Sequence, residues 1–395
     1  MMIQAVLGNP NHPEYGVATI PFPISRDQYA HCMELLAAME IGDAVKADCK
    51  VEKIDSFYTV LKRAEMLTVN VEELNYLAKR LDSFDTGEAA QFQAMAHKLE
   101  LFELKDLINL TFCCQQATVI TDFSDLAAVG RDHYMNLHGG SASVDELNKL
   151  DGEKTARRLI ENGGGTITPY GVVYDNGMKL EQVYDGRLFP CYYYEPNAIT
   201  VAVTSKTEPE DTEHITWLFL PMVQEEIDRA LLRGGITDPA DVRLRLEDSQ
   251  LPNEVNVLLD MEYENLSDLN ELAAATDGLS KADMEKLGAV VMLAEPKSAV
   301  QIKNLVENLD LFDFAPDAHT PEEYGKYMIQ QSGHFDYDEN LDAFYDYEKY
   351  GTERMNAEDG MFTDRGYIAY KGYISMEEVM NGSQSSHMEM GGLSR

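Results

Sequence analysis

Ten carboxylates and three cations lie between Asp336 and Ile368, in the run DYDENLDAFYDYEKYGTERMNAEDGMFTDRGYI, with tyrosine and phenylalanine interleaved. Carboxylates this dense could hold a cation, so their spacing matters. Asp336, Asp338 and Asn340 occupy positions 1, 3 and 5 of a calcium-loop pattern. Leu341 then stands at the sixth position instead of Gly, and Tyr347 at the twelfth instead of Glu, so the pattern fails. Gly163-Gly164-Gly165 lacks the Gly-Lys-Ser/Thr ending of a phosphate loop and reads as a turn. The histidines are scattered, without an HExxH or His–Cys metal spacing. Cys113-Cys114 sits in an apolar setting and reads as core. No GxSxG or kinase-like set is present. The sequence therefore predicts no catalytic residue, no metal and no cofactor, and a protein that is not an enzyme.

The acids must then act through charge. Asp and Glu number 69 against 32 Lys and Arg, for a net charge of −37. Total charged content is an ordinary 26%, so depletion of cations contributes to the imbalance as well as enrichment of acids. The plain reading is a surface that keeps the protein dispersed. Direct binding to nucleic acid is disfavoured, because phosphate would be repelled. Carboxylates three or four residues apart on a helix lie about 5–6 Å apart, comparable to phosphates along one strand. At about one charge per 1.7 Å of duplex, the net charge matches roughly 60 Å of DNA. Cysteine usage, with no CxxC pair, fits a reduced, cytoplasmic setting. The N-terminal residues do not read as a signal peptide. No apolar run is long enough to predict a membrane span.

Stepping along the chain, periodicity predicts an α+β class. Met2–Leu7 reads as a strand, Ser25 as the cap of a helix reaching about Met39, and Ala44–Ile54 as another strand. Leu74, Leu77 and Leu81 fall on one helical face. Strand and helix mix again to a strand near Gly171–Tyr174, followed by a connector with the cluster Tyr192–Tyr194. From Ala198 the order restarts. Strands are expected at Ile199–Thr204, Ile215–Leu220 and Asp241–Glu247, with helices at Gln224–Arg233 and from Asp268. A shift of 195 carries Leu74-Asn75 onto Leu269-Asn270, Asn109-Leu110 onto Asn304-Leu305, Glu153-Lys154 onto Glu348-Lys349 and Gly171 onto Gly366. One gapless offset predicts two tandem copies of a three-domain unit, each with a small α/β, a helical and a mixed α+β domain. The expected boundaries are 1–69, 70–111, 112–176, a connector 177–197, then 198–265, 266–306, 307–375, and a flexible tail 376–395.

The second copy, about residues 198–372, resembles the ArdA antirestriction family. The residues that carry the resemblance are Leu220-Pro221, Arg243-Leu244-Arg245-Leu246, Ser249-Gln250-Leu251-Pro252 and Asp268-Leu269-Asn270-Glu271-Leu272. Glu322-Glu323-Tyr324-Gly325-Lys326-Tyr327 and Phe344-Tyr345-Asp346-Tyr347-Glu348-Lys349-Tyr350-Gly351 add to it, with a closing strand like Phe362–Ile368. Thr352-Glu353 departs from the Arg-Asp usual in the family, and so does the duplication itself. The resemblance implies an elongated, non-enzymatic mimic of bent B-form DNA. It would occupy the DNA channel of type I restriction-modification enzymes, on their methyltransferase core, on behalf of a mobile genetic element. It also implies dimerisation, as a homodimer or as an internal pseudo-dimer of the two copies.

On that reading the phosphate-mimicking residues are Asp310, Asp313, Asp317, Glu322, Glu323, Asp336, Asp338, Glu339, Asp342, Asp346, Glu348, Glu353, Glu358 and Asp359. Residues 196–395 carry 40 acids and 15 cations, whereas residues 1–195 carry 29 and 17. Of the 16 acids between Glu307 and Gly366, only three stay acidic when mapped back by 195, at Asp122, Asp151 and Glu153. Glu322-Glu323 becomes Ala127-Ala128, and Glu353 becomes Arg158. The alternatives are an acidic adaptor for another basic DNA-associated or conjugation protein, and a hydrolase with dispersed catalytic residues.

Overall fold

The computed structural model describes residues 3–207 and 214–382. Their contacts form two units. One comprises Met1–Glu195, Glu208–Trp217 and Val223–Asp241, the other Pro196–Thr207, Leu218–Met222 and Val242–Arg395, each as far as its described residues go.

The first unit opens with strands β1 (Ile3–Gly8), β2 (Val17–Phe22), β3 (Cys49–Asp55) and β4 (Thr68–Val69), in sheet order β2-β1-β3-β4 and antiparallel throughout. Alternation dictates the buried face: Ile3, Ala5 and Leu7 all point into the core. Helix α1 (Tyr29–Ala38) starts later than expected. The carbonyl of Ser25 accepts the N–H of Gln28 in a preceding turn, so Ser25 is not the cap. The strand expected from Ala44 also starts late, at Cys49. Asp43 accepts the N–H groups of Val45 and Lys46, and Asp48 those of Gly42 and Asp43, which fold this stretch into turns.

Three helices follow, α2 (Val71–Asp82), α3 (Thr86–Lys98) and α4 (Leu104–Leu110). Leu74, Leu77 and Leu81 are buried, as their spacing predicts. Asn70 caps α2, and Asp85 with Glu88 forms a capping box on α3. Then come β5 (Thr118–Ile120), α5 (Leu126–Leu137), α6 (Val144–Lys149), α7 (Gly152–Glu161), β6 (Thr166–Thr168) and β7 (Gly171–Tyr174), with sheet order β5-β7-β6. Cys113 and Cys114 are buried. The expected connector is part of this core. Tyr184 is fully buried, its N–H donating to Asn109 Oδ1 at 2.7 Å and its carbonyl accepting from Asn109 Nδ2 at 3.0 Å. Phe189 stacks on Tyr76 at 4.5 Å.

The later sequence contributes a helix to this first unit. After β8 (Ile199–Ser205) and β9 (Thr216–Leu220), and before β10 (Val242–Ser249), comes α8 (Gln224–Gly234), which groups with the first unit although the flanking strands belong to a sheet ordered β10-β8-β9. Two arginines explain the grouping. Arg229 pairs with Glu72 and donates to Tyr29 Oη. Arg233 is 3% exposed and donates to the carbonyls of Ala44 and Arg187, to Asn70 and to Tyr184 Oη. Its guanidinium lies 4.3 Å from the Phe189 ring centroid.

In the second unit α9 (Asn253–Leu258), α10 (Leu266–Thr276), α11 (Lys281–Ala294) and α12 (Ala299–Val306) lead to β11 (Phe312–Pro316), α13 (Pro321–Gln330), α14 (Tyr347–Met355), β12 (Asp359–Thr363) and β13 (Gly366–Tyr370). The last sheet is antiparallel in order β11-β13-β12. The expected flexible tail begins too early. Met376–Met380 forms helix α15, with a Ser375/Glu378 capping box and a buried Val379, and its Met380 carbonyl accepts from Asn304 at 2.8 Å. The remainder of that tail, from residue 383, lies outside the described residues. So does the first residue of the strand expected from Met2.

Candidate functional site

The acidic run folds around a helix crossing. Thr320 caps α13 by accepting the N–H of Glu323 at 3.2 Å, with Pro321 in the first turn. Asp346 caps α14 by accepting the N–H of Lys349 at 3.1 Å. The two helices then meet backbone to backbone. A Cβ at Gly325 would stand 2.9 Å from the carbonyl carbon of Tyr347, and closer still to its oxygen. One at Gly351 would stand 2.8 Å from the carbonyl carbon of Pro321. Neither distance is open to a real side chain, so both positions need glycine for space. Tyr324 and Tyr367 are buried beneath the crossing, 4.2 Å apart between ring centroids. The Tyr-Gly pairs of the sequence are therefore scaffold, and the acids are what the scaffold displays.

The fourteen candidate acids have different surroundings. Asp313 and Glu358 face inward. Asp313 accepts from Lys371 at 2.7 Å and lies 3.9 Å from Arg354. Glu358 pairs with Arg354 at 2.7 Å and accepts the Tyr324 hydroxyl at 2.7 Å. Burial is the main reason the Tyr324 phenol sits far above its ordinary range, and the bond to Glu358 adds to it. The other twelve are exposed. Some have a local structural use as well. Glu322, Glu323 and Glu348 occupy first helical turns, where the helix dipole favours negative charge. Glu323 also accepts the N–H of His319 at 2.8 Å, which holds its carboxyl below the usual range. Asp338 accepts the N–H of Asn340 at 2.9 Å and caps the short 3-10 turn Glu339–Phe344. Asp342 accepts hydroxyls from Tyr347 and Tyr337 and an amide N–H from Gln330, and the two hydroxyls keep it well ionised. Asp310, Asp317, Asp336, Glu339 and Asp359 are exposed and, among the described residues, have no such bond to explain them. Glu353 is exposed too, with Lys349 4.0 Å away.

Both arginines of this domain are turned inward. Arg354 serves Glu358 and Asp313. Arg365, on the β12–β13 turn, grips Glu254 of α9 with two bonds of 2.8 and 2.9 Å and reaches Glu285 of α11 at 3.0 Å. The Arg365 guanidinium holds the Glu254 carboxyl below its ordinary value. These two arginines are taken up by carboxylates within the fold, while Lys326 and Lys349 are exposed with most of the acids. Sequence reading missed these pairs. Only the i, i+4 spacing of Arg354 and Glu358 could have signalled one of them.

A cleft of about 330 Å3 lies beside β11, lined by Lys286, Asp313, Tyr327, His334 and Lys371 among others. Lys371 is committed to Asp313, and His334 Nδ1 is hydrogen-bonded with Ser332 Oγ at 2.8 Å. Among the described residues no group of three or more His, Cys, Asp and Glu is placed to hold a metal ion, and no helix is long and apolar enough to cross a membrane.

The α+β domain of the later half thus commits Arg354 and Arg365 to carboxylates within the fold and leaves twelve of the fourteen candidate acids exposed. Residues 212–369 match the model of the antirestriction protein family ArdA. No curated protein matches the chain.

Proposed function

We propose that this protein is a non-enzymatic antirestriction protein whose acidic surface takes the place of DNA in the channel of a type I restriction-modification enzyme. The family match over residues 212–369 carries the antirestriction reading. The mimicry reading is supported by the outward acids on and around α13 and α14, with Arg354 and Arg365 committed inside. A basic channel built for phosphate would be attracted to this face, most strongly at low salt.

We further propose that the chain is a tandem duplication, with the first copy retaining the fold and the smaller share of the net charge, −12 of −37. Shifted by 195 residues, α2, α3, α4, α5, α7 and β7 begin at the first residues of α10, α11, α12, α13, α14 and β13. Thr168 Oγ1 donates to the Gly171 carbonyl at 2.8 Å, and Thr363 Oγ1 to that of Gly366 at 2.8 Å. Gly171 and Gly366 share a positive φ, 126° and 129°. In the earlier sheet domain Ala127-Ala128 and Arg158 stand where the later one has Glu322-Glu323 and Glu353.

Plasmid transformation into matched hosts with and without a type I system tests the activity. Protection confined to the restricting host is expected, and its absence refutes the reading. Binding to the purified methyltransferase core, displaced by duplex DNA and weakened by salt, tests the mechanism.

A further inference from the structure

Residues 331–346, between α13 and α14, form a fastened loop. Tyr337 donates its hydroxyl to Asp342 at 2.7 Å, and Gln330 Nε2 reaches Asp342 at 2.9 Å and Tyr347 Oη at 2.9 Å. The rings of Tyr337, Tyr345 and Tyr347 follow one another at 6.0 and 5.8 Å. These bonds pin the turn Glu339–Phe344 to both helices. Beside the polar Glu339, Asn340 and Asp342, the pinned turn holds two large apolar side chains outward. Phe344 is 84% exposed and Leu341 is 48% exposed.

Holding a phenylalanine in water brings the chain no internal stabilisation, and Phe344 is flanked by exposed Asp338, Glu339 and Asp346. The fold does not require it. Under the shift of 195, Leu341 and Phe344 correspond to Glu146 and Lys149, in the polar helix α6. An apolar tip with an acidic surround is complementary to an apolar socket with a basic rim. Phosphate mimicry alone accounts for the rim and not for the tip.

We propose that Phe344 and Leu341 are an apolar anchor that seats in such a socket on the DNA-binding surface of the methyltransferase core. This inference rests on the antirestriction reading above. The acids supply the part of the affinity that salt screens, and the anchor supplies a part that salt leaves in place.

The test compares full-length wild type, Phe344→Ala and Leu341→Ala/Phe344→Ala with Glu348→Gln/Glu353→Gln, by equilibrium binding to the purified core from about 0.05 to about 0.5 M salt. Because both apolar side chains are exposed, the variants should unfold at the wild-type temperature. Phe344→Ala should bind roughly 10- to 100-fold more weakly at every salt concentration, with the wild-type salt slope. Phe344→Trp should restore most of the loss. The carboxylate variant should instead flatten the slope. If wild type binds and Phe344→Ala binds equally well, or if its loss vanishes at high salt, the anchor is refuted and the antirestriction reading stands. If wild type itself does not bind the core, both fall.

Discussion

Replacing Gly351 with alanine adds one methyl group at the point where α13 and α14 touch. The added Cβ would stand 2.8 Å from the carbonyl carbon of Pro321 and 3.1 Å from the backbone nitrogen of Gly325. Both obstacles are backbone, so no side chain can rotate away, and the helices must part by several tenths of an ångström or more. Parting them loosens the packing over Tyr324 and disturbs the bonds from its hydroxyl to Glu358 and from Arg354 to Glu358. Overpacking of a close-packed site costs about 1–3 kcal/mol, and a clash with rigid backbone belongs at the upper end. Alanine's better helix propensity returns up to about 1 kcal/mol, leaving a net loss of roughly 2 kcal/mol. For a cooperative unit of about 150–250 residues that lowers Tm by roughly 4–8 °C. Circular dichroism melting of the full chain reads this directly, and Thr352→Ala, at an exposed neighbouring position on the same helix, is the control. The moved helices also carry Glu322, Glu323, Glu348 and Glu353, so binding to the methyltransferase core should weaken at temperatures where the variant is folded. A Gly351→Ala protein that melts with wild type would refute the backbone crossing and the scaffold reading of the Tyr-Gly pairs.

Arg365→Gln should destabilise by about 2 kcal/mol in chemical unfolding, since it removes charge-assisted bonds to two part-buried carboxylates. Glu285→Gln should cost less, having one contact at 3.0 Å from a more exposed side chain. The gap between wild type and Arg365→Gln should close in acid. Glu254 has a folded pKa below its ordinary 4.5, so its contribution is complete above about that pH and is lost as pH falls through the folded value. A gap unchanged between neutral pH and pH about 3 would contradict this assignment. Arg233→Ala strips partners from the buried carbonyl of Ala44, the part-buried carbonyl of Arg187, and the side chains of Asn70 and Tyr184, and should destabilise by about 3 kcal/mol in thermal melts. Neutralising Glu322, Asp336, Glu339, Glu348, Glu353 and Asp359 should abolish protection in the transformation assay. The same change at Asp122, Asp151 and Glu153 should leave most of it, and equal losses would refute the asymmetry between the copies.

Local pattern was enough to read much of this protein from its sequence. Alternation buried Ile3, Ala5 and Leu7, and helical spacing buried Leu74, Leu77 and Leu81, because these periodicities arise within a few residues. The net charge, its concentration in the later half, and the constant shift of 195 are properties of order along the chain and need no coordinates. Competition between nearby groups was harder to read. Asp43 and Asp48 fold a stretch whose alternation suggested strand, and the Ser25 carbonyl closes a turn where its hydroxyl suggested a cap.

Tertiary structure decided which charges are free. In sequence Glu358, four residues after Arg354, looks like Glu353, four residues after Lys349, and Asp313 looks like Asp359. Only the approach of Lys371 and Arg354, brought in by the β11–β13 pairing and by the turn of α14, commits Asp313 and Glu358 inward. It decided that α8 completes the first unit, since Arg229 and Arg233 reach acceptors more than 150 residues away. It decided that the Tyr-Gly pairs are spacers, because a missing methyl group matters only where another backbone fills its place. The charge is written in composition. Its display depends on which carboxylates meet a cation, and contacts between distant residues settle that.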